Sequence, residues 1–250
     1  MKKSEYDAFA KEYQDSKQLP FRTYAEQPLL FELIGNVAGK AVLDLGCGEG
    51  IYSRKLKAIG AATVVGIDLS IEMIALAKAA EQENPLGIDY HVGDGSSIGY
   101  LGQFDLVVGS YILNYSRSQA HLEAFCRVIH LNLKPGGRFI GLNDNPANDP
   151  DHYDGFRKYG FVKSSPKPRC EGDPVTYTMF LPDGSSFSFD NYYLDPDTYQ
   201  KAFSATGFSS MRWVNPVVTE GGVKAFGEGY WQEFRDDPPV VGIEALKSGS

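Results

Sequence analysis

An acidic residue and three alternating glycines stand where the first strongly apolar run of the chain ends. Asp44 lies within that run, and Gly46, Gly48 and Gly50 follow it, after which a helical pattern begins. A strand, a glycine loop and a helix in this order hold a nucleotide-like ligand against the N-terminus of the helix. Glycine lets such a ligand approach the main chain closely. This stretch is therefore the first candidate for a binding site.

The acid and the spacing of the glycines distinguish between two classes of ligand. A dinucleotide-binding loop has a small residue three positions after its second glycine, and here that position is Ile51. The carboxylate of Asp44 would also repel a pyrophosphate, whereas it suits a ligand with an ammonium group and no phosphate. S-adenosylmethionine is such a ligand. A glycine-rich corner between strand and helix, with no ligand, is the alternative at this point.

Two further acids occupy ligand-binding positions in such a fold. Asp68 ends the apolar run 63–68 and comes 20 residues after Gly48, where a carboxylate can accept hydrogen bonds from ribose hydroxyls. That position serves dinucleotides and S-adenosylmethionine alike. Asp94 follows the short run 88–92 and stands between two glycines. Taken alone, Gly-Asp-Gly predicts a turn, but its place after a third strand makes Asp94 a second candidate.

The composition is that of an ordinary globular protein with an acidic balance. A chain of 250 residues can form one large α/β domain with an embellishment, or two small ones. The net charge of −8 argues against DNA or RNA as the main substrate. The three cysteines lack metal-type spacing and fit a reducing compartment. We expect a cytoplasmic protein, because the N-terminus resembles no signal peptide and no apolar run reaches membrane-spanning length.

Hydrophobic periodicity arranges these residues in alternating strands and helices. Residues 4–35 look helical, with Tyr6, Phe9 and Tyr13 on one face. Apolar runs beginning at positions 41, 63, 88, 104 and 138 predict strands, and 118–132 predicts a helix. From about 146 to 192 no helical period is found, and a β-hairpin is predicted around Asp183-Gly184. A capped helix at 195–208 and strands at 211–218 and 240–246 complete the prediction.

At these motifs the sequence resembles the class I S-adenosylmethionine-dependent methyltransferases. Residues 44–50 match the D/E-x-G-x-G-x-G motif of that family, 104–107 match Phe-Asp-x-Val, and 133–139 match Leu-Lys-Pro-Gly-Gly-x-Phe. The resemblance covers 41–145 by motifs and 195–246 by the order of elements. It implies an α/β fold, in which a Rossmann-like seven-stranded sheet has helices on both faces and carries a small β-rich cap insertion.

The resemblance implies S-adenosylmethionine as cofactor and S-adenosylhomocysteine as product. The segment 6–13 resembles a lid of small-molecule methyltransferases, so Tyr6, Tyr13 and Tyr24 are expected to close over the cofactor. Leu69 and Met73 are expected at the adenine ring. The expected cofactor-binding residues are Tyr13, Asp44, Gly46, Gly48, Asp68, Leu69, Met73, Asp94, Gly95 and Ser110.

We divide the chain into four segments on this basis. Residues 1–35 form an N-terminal helical lid, and 36–145 form the S-adenosylmethionine-binding core. Residues 146–192 form a cap insertion over the active site, and 193–247 form the C-terminal part of the core. The alternative for 146–192 is a surface ribbon or a dimer contact. The oligomeric state is left open.

The expected reaction is methyl transfer to an N or O atom of a small aromatic or heteroaromatic metabolite. The chain resembles small-molecule methyltransferases of bacterial secondary metabolism, and the toxoflavin-type azapteridine N-methyltransferases are similar around Asn114-Tyr115. Tyr111 and Asn114 follow the fourth strand, where open α/β sheets place ligands. A hydroxyl nucleophile would need a base, for which His152 is the first candidate and Asp144 another. A deprotonated N-heterocycle would need none.

Three other functions stay open, and no metal is expected. Metal-dependent O-methyltransferases need an acid after the fourth strand, where this chain has Ser110. A dinucleotide-dependent oxidoreductase is disfavoured by the glycine spacing and by Asp44. A binding-only S-adenosylmethionine module is not excluded. A protein or RNA methyltransferase is disfavoured by the negative charge and by the absence of an Asn/Asp-Pro-Pro-Tyr motif.

Overall fold

The protein contains a mixed seven-stranded sheet and a separate three-stranded sheet. The computed structural model describes the backbone of residues 10–249 and the side chains of 12–249. The expectations for Tyr6 and Phe9 lie outside the described residues. No helix within 10–249 is long and apolar enough to cross a membrane.

The strands and helices follow the order that the sequence predicts, with additions in the N-terminal and cap segments. The strands are β1 Ala41–Leu45, β2 Thr63–Asp68, β3 Ile88–Val92, β4 Phe104–Ser110, β5 Leu133–Asp144, β6 Phe161–Ser164, β7 Pro174–Phe180, β8 Ser186–Tyr192, β9 Phe208–Val214 and β10 Val240–Lys247. The helices are α1 Ala10–Ser16, α2 Gln27–Ile34, α3 Ile51–Ala58, α4 Ile71–Glu83, α5 Gln119–Asn132, α6 Pro196–Ala205, α7 Glu220–Phe226 and α8 Gln232–Asp236.

The large sheet has the strand order β3-β2-β1-β4-β5-β10-β9. β1 to β5 run parallel to one another, whereas β10 runs antiparallel to both β5 and β9. The sheet reverses its order of connection at β1, so the carboxyl ends of β1 and β4 open a crevice there. Ligands bind in that crevice in doubly wound sheets.

Helices cover both faces of this sheet, because its parallel strands are apolar on both faces. Along β1, Val42 packs into a core with α2, α3 and α4, and Leu43 packs into a second core with α5 and α6. Ser70 caps α4 and Ser118 caps α5, each accepting a backbone hydrogen bond in the first turn of its helix. The predicted Rossmann-like fold with helices on both faces is confirmed.

The described part of the N-terminal segment is mostly helical, as the sequence predicts for residues 4–35, but the helical structure is interrupted. α1 ends at Ser16, and helical structure resumes near Pro20 as a π-helical turn, Arg22–Glu26, that leads into α2. Proline has no N–H to donate and disfavours helical angles at the preceding residue, here Leu19. The break lets the segment bend instead of continuing along one axis.

The cap insertion has more regular structure than the sequence predicts. The hairpin around Asp183-Gly184 is present as β7 and β8, and β6 pairs with β7 to make a three-stranded antiparallel sheet. A 3₁₀-helix, Pro150–Tyr159, precedes it in a stretch where the sequence shows no helical period. An aromatic core joins this sheet to the N-terminal segment and to α8, with Phe161, Tyr177 and Trp231 among its buried members.

Candidate active site

A cavity of about 480 Å³ opens at the carboxyl ends of β1, β2 and β4. We call it the outer cavity. Nine of the ten expected cofactor-binding residues line it, namely Tyr13, Gly46, Gly48, Asp68, Leu69, Met73, Asp94, Gly95 and Ser110. Residues from five separate parts of the chain therefore meet where the sequence predicted a ligand. The cavity defines the candidate site.

The glycine loop is shaped by left-handed backbone angles and fixed by Asp68. Gly48 has a φ of +55° and Gly50 a φ of +83°, which L-residues with a side chain rarely adopt. The N–H of Gly48 donates to Oδ2 of Asp68 at 2.8 Å, and the N–H of Ser70 donates to Oδ1 of Asp68 at 2.8 Å. A carboxylate has about four acceptor positions. Asp68 can therefore hold the loop and still accept hydrogen bonds from a ligand in the cavity.

Asp44 is the one expected cofactor residue that does not line the outer cavity. Its side chain is buried beneath the loop, where Oδ2 accepts a hydrogen bond of 2.5 Å from Oγ of Ser53. Burial raises the pKa of Asp44 to about 6. Asp44 therefore lies beneath the loop and not in the wall of the outer cavity.

Two charged residues of the outer cavity were missed by the sequence analysis. Lys17 and Glu49 are each only 6% exposed. The Nζ of Lys17 lies 4.6 Å from the ring centroid of Tyr13 and 5.2 Å from that of Tyr52, and no carboxylate among residues 12–249 forms an ion pair with it. Oε1 of Glu49 is buried without a hydrogen-bond partner in the same part of the chain. The wall thus carries one cation without an ion pair and one anion with an unbonded oxygen, within residues 12–249.

Tyr111, an expected catalytic residue, lines the outer cavity in a strained conformation. Its φ of +64° is the one left-handed angle of a non-glycine residue within 10–249. Its hydroxyl donates to Oε2 of Glu26 at 2.5 Å. Burial, together with Glu26, raises the pKa of Tyr111 well above its usual value, so this phenol stays protonated. Such strain is held by surrounding contacts and is common in active sites.

Glu26 is a buried carboxylate with three different donors. Besides Tyr111, it accepts hydrogen bonds from the hydroxyl of Tyr52 at 2.9 Å and from Nη1 of Arg22 at 3.1 and 3.2 Å. Burial alone would raise the pKa of Glu26, but Arg22, Lys17 and the two tyrosines outweigh it and lower that pKa. Glu26 is therefore ionised, and it connects the N-terminal segment to the floor of the site.

Three further expectations are corrected by the structure. His152 does not line the outer cavity, because its exposed ring is bonded to Asp237 at 2.7 Å, which raises the pKa of His152. Asn114 is buried outside the cavity, and its Oδ1 accepts from the N–H of Asp144 at 3.2 Å. Tyr24 does not close over the site, since its ring packs against Trp231, 6.5 Å away between centroids.

Asp144, the other candidate base, already accepts hydrogen bonds from side chains of the protein. Its Oδ1 accepts from Nζ of Lys163 at 2.9 Å and from the hydroxyl of Tyr177 at 2.5 Å. Lys163 lies on β6 and Tyr177 on β7, so this buried cluster attaches the cap sheet to β5. Burial lowers the pKa of Lys163, although Asp144 opposes the shift. Asp144 thus forms a buried ion pair with Lys163.

The far end of the outer cavity is formed by the cap and by the loop after β4. Asp190 and Tyr192 of β8 line it together with Tyr115 and Arg117. The guanidinium of Arg117 lies 4.2 Å from the ring centroid of Tyr192. Oδ1 of Asp190 accepts a hydrogen bond of 2.6 Å from Thr176. This end is aromatic and contains one basic residue, Arg117, and one acidic residue, Asp190, which suits a planar polar molecule.

Several solved structures with a similar fold are S-adenosylmethionine-dependent methyltransferases. One from Mesorhizobium loti superposes with a TM-score of 0.65 at 23% identity, covering 93% of this chain and 100% of that one. CalS10, an amino pentose methyltransferase from Micromonospora echinaspora, superposes with a TM-score of 0.57 at 18% identity, covering 99% and 98%. The fold is therefore the class I methyltransferase fold.

Sequence comparison agrees over the first part of the sheet. Residues 42–137 match the family model described as "Methyltransferase domain". A ubiquinone biosynthesis O-methyltransferase of Aromatoleum aromaticum is 35% identical over 113 residues, 44% of this chain and 47% of that protein. One of Nitrosococcus oceani is 36% identical over 126 residues, 48% and 52%. The chain thus spans about half the length of the curated relatives it matches, and the resemblance to class I methyltransferases is confirmed for the fold and for this domain.

Proposed function

We propose that this protein transfers a methyl group from S-adenosylmethionine to an N or O atom of a small aromatic or heteroaromatic metabolite. The observation that carries the proposal is the pair of buried charges, Lys17 and Glu49, in the wall of the outer cavity, neither of which forms an ion pair within residues 12–249. A buried charge without an ion pair is costly, so each indicates a ligand group of opposite sign. The amino-acid end of S-adenosylmethionine supplies both, a carboxylate for Lys17 and an ammonium group for Glu49.

The charges of the wall also argue against the rival dinucleotide. Glu49, Asp68 and Asp94 all line the outer cavity, and a pyrophosphate would face their carboxylates. The adenosine part of S-adenosylmethionine meets them without phosphate. In this proposal Asp68 accepts hydrogen bonds from the ribose, Asp94 from the adenine amino group, and Leu69 and Met73 contact the ring.

S-adenosylmethionine supplies an electrophilic methyl group, and the chain's contribution is to hold, orient and desolvate the acceptor. Orientation alone can supply a large part of such a rate enhancement. Tyr13 and Tyr111 line the outer cavity, and the buried hydroxyl of Tyr111 donates to Glu26. We propose that these two rings form the walls between which the acceptor lies.

The proton of a hydroxyl acceptor would need a base, and we now assign that role to Asp190 instead of His152. Asp190 lines the acceptor end beside Tyr192, with one oxygen bonded to Thr176. Its second oxygen remains for the substrate. The names of the curated relatives, ubiquinone biosynthesis O-methyltransferases, support oxygen over nitrogen.

The four segments expected from the sequence become part of this proposal. Tyr13 and Lys17 come from the N-terminal segment, and Asp190 and Tyr192 come from the cap, so both border the outer cavity. We infer that residues 1–35 close over the cofactor end and that 146–192 close over the acceptor end. A cytoplasmic location and a small-molecule acceptor fit the acidic chain and a cavity of this volume.

The first test is calorimetric titration with S-adenosylmethionine, with NADH, and with adenosine. We expect binding of S-adenosylmethionine and none of NADH. Lys17→Met should weaken S-adenosylmethionine about tenfold or more, because a charged hydrogen bond is lost, and should leave adenosine unchanged since it has no carboxylate. Equal losses for both ligands would show that Lys17 acts on the fold and not on the carboxylate.

The second test separates an enzyme from a binding-only module. Release of S-adenosylhomocysteine is followed with phenols and flat N-heterocycles as acceptors. Turnover with any of them, lost in Asp190→Asn for a hydroxyl acceptor, supports the enzyme. Tight binding of S-adenosylmethionine without turnover over a broad panel would favour the module.

A further inference from the structure

A second, much smaller cavity lies behind two walls of the outer one. Its volume is about 20 Å³, and it is lined by Tyr13, Phe21, Arg22, Tyr111, Tyr177, Met179, Phe189, Asn191 and Val240. We call it the inner cavity. A space of this size holds one water-sized group. Most of its lining is aromatic or aliphatic, so a polar atom in this lining has few hydrogen-bond partners within the protein.

Two buried polar atoms of its lining residues have no partner. Arg22 and Asn191 are each 3% exposed, and Nε of Arg22 and Oδ1 of Asn191 make no hydrogen bond to the described part of the chain. Arg22 is not free to turn toward another acceptor, because its Nη1 is bonded to both oxygens of Glu26. Buried donors and acceptors are rarely left unpaired. The pair indicates a group that the cavity receives.

A hydroxyl group is the chemistry that satisfies both atoms at once. Its oxygen can accept from the N–H of Arg22, and its proton can be donated to the amide oxygen of Asn191. A carboxylate would satisfy Arg22 but would face the lone pairs of Asn191. An ammonium group would satisfy Asn191 but would face the guanidinium. Only a group that donates and accepts within one water-sized volume meets both requirements.

The inner cavity is adjacent to the acceptor region but separate from the cofactor loops. Tyr13 and Tyr111 line both cavities, so their rings stand between them. Neither Gly46, Gly48, Asp68 nor Asp94 lines the inner one. A hydroxyl there is held away from the methyl donor. It can anchor a molecule whose other end reaches the site of transfer.

We propose that the inner cavity is an anchoring subsite for a hydroxyl group of the methyl acceptor, bound between Arg22 and Asn191. This inference rests on the proposed function, because it assigns the subsite to the acceptor of that reaction. The acceptor then carries at least two polar groups. One is anchored behind Tyr13 and Tyr111, and another is methylated in the outer cavity.

Phenol and toluene are the probes that test it. They have nearly the same shape, and toluene is the more hydrophobic of the two, so a plain apolar pocket favours toluene. We expect phenol to bind at least about tenfold more tightly than toluene to the protein saturated with S-adenosylhomocysteine, because toluene leaves both polar atoms unpaired. The dissociation constants are measured by NMR titration.

Variants of Asn191 connect the preference to the cavity. Asn191→Leu should abolish the preference for phenol, and Asn191→Ser, which keeps a hydrogen-bonding oxygen, should retain part of it. Ser188→Ala is the matched control, since Ser188 is exposed on the same strand and should leave the preference unchanged. Should Asn191→Leu fail to fold, Asn191→Ala carries the same test, since it also removes the amide oxygen.

Two results would overturn the proposal. If phenol and toluene bind equally, or if phenol does not bind, the inner cavity holds only an ordered water. If Asn191→Leu keeps the preference, the hydroxyl is recognised elsewhere. The titration with S-adenosylmethionine reports separately on the proposed function, and the phenol comparison can be repeated without S-adenosylhomocysteine, so the two failures can be told apart.

Discussion

Around the glycine loop, the energetic effect of each charge depends on whether the protein or a ligand neutralises it. Asp44 lies under the loop with one hydroxyl donor, Ser53, and Glu49 and Lys17 face the cavity. Asp68 is already bonded to two backbone N–H groups. The unliganded site therefore holds several carboxylates close together, which favours a protonated Asp44 and a cationic ligand group.

Asp44 makes the stability of the protein depend on pH. Burial raises its pKa from 3.8 to about 6, so the folded state binds more protons than the unfolded state between those values. This carboxyl therefore lowers the free energy of unfolding as the pH rises through that window. We expect the stability of Asp44→Asn relative to the unaltered protein to increase by on the order of 2 kcal/mol between pH 4 and pH 7.

Urea unfolding of both proteins across that pH range measures the effect. Asp89→Asn, which changes an exposed carboxyl on β3, is the control and should show no comparable trend. A constant difference between Asp44→Asn and the unaltered protein would contradict the raised pKa.

Several residues of the site could be predicted because their spacing along the chain is enough to define them. Gly48, Asp68 and Asp94 each follow a parallel strand, and parallel strands bring their carboxyl ends to one edge. Lys17 could not be found this way, since its position depends on how a helical segment outside the sheet folds back. His152 was misplaced for the same reason. Its segment was expected near the site, but the sequence does not show which of its faces is exposed.

Two elements outside the large sheet carry cavity residues, and a buried carboxylate attaches each of them to the sheet. Glu26 attaches the N-terminal segment through Tyr52 of α3 and Tyr111 after β4. Asp144 of β5 attaches the cap sheet through Lys163 and Tyr177. Sequence periodicity predicts the elements, but it does not show these pairings, which join residues far apart in the chain.

Replacement of Glu26 tests the first attachment. Glu26→Gln leaves the guanidinium of Arg22 buried without its anion, so we expect a loss of about 3–5 kcal/mol in the free energy of unfolding. Glu123→Gln removes the partner of Arg127 on the surface of α5 and should cost about 0.5 kcal/mol or less. Urea denaturation gives both values. Similar small losses in the two variants would mean that the Glu26 cluster does not hold the segment in place.

At the scale of the whole molecule, Arg138 joins parts from both halves of the chain. From β5 it donates to the backbone oxygens of Leu33 and Ile34 at the end of α2, and it pairs with Glu244 of β10 at 2.8 Å. Arg212 of β9 pairs with the same glutamate at 2.6 Å. The sheet order was predictable from the family resemblance, but this junction was not, because it depends on where α2 ends.

The two arginines provide a matched comparison. Arg138→Met removes hydrogen bonds to two helix-end carbonyls as well as an ion pair, so we expect a loss of about 1–2 kcal/mol. Arg212→Met removes only a solvent-exposed pair and should cost about 0–1 kcal/mol. Thermal unfolding at constant pH ranks the two variants. A larger loss in Arg212→Met would contradict the role given to Arg138.

The position of β10 affects how the chain folds during synthesis. Because β10 lies between β5 and β9, residues 208–214 have no neighbouring strand in the sheet until residues 240–247 have left the ribosome. Until then one side of β5 is an open edge, and unpaired edges recruit other chains. A nascent chain that pauses before residue 240 exposes this edge, and we expect chaperones to bind it most at that stage.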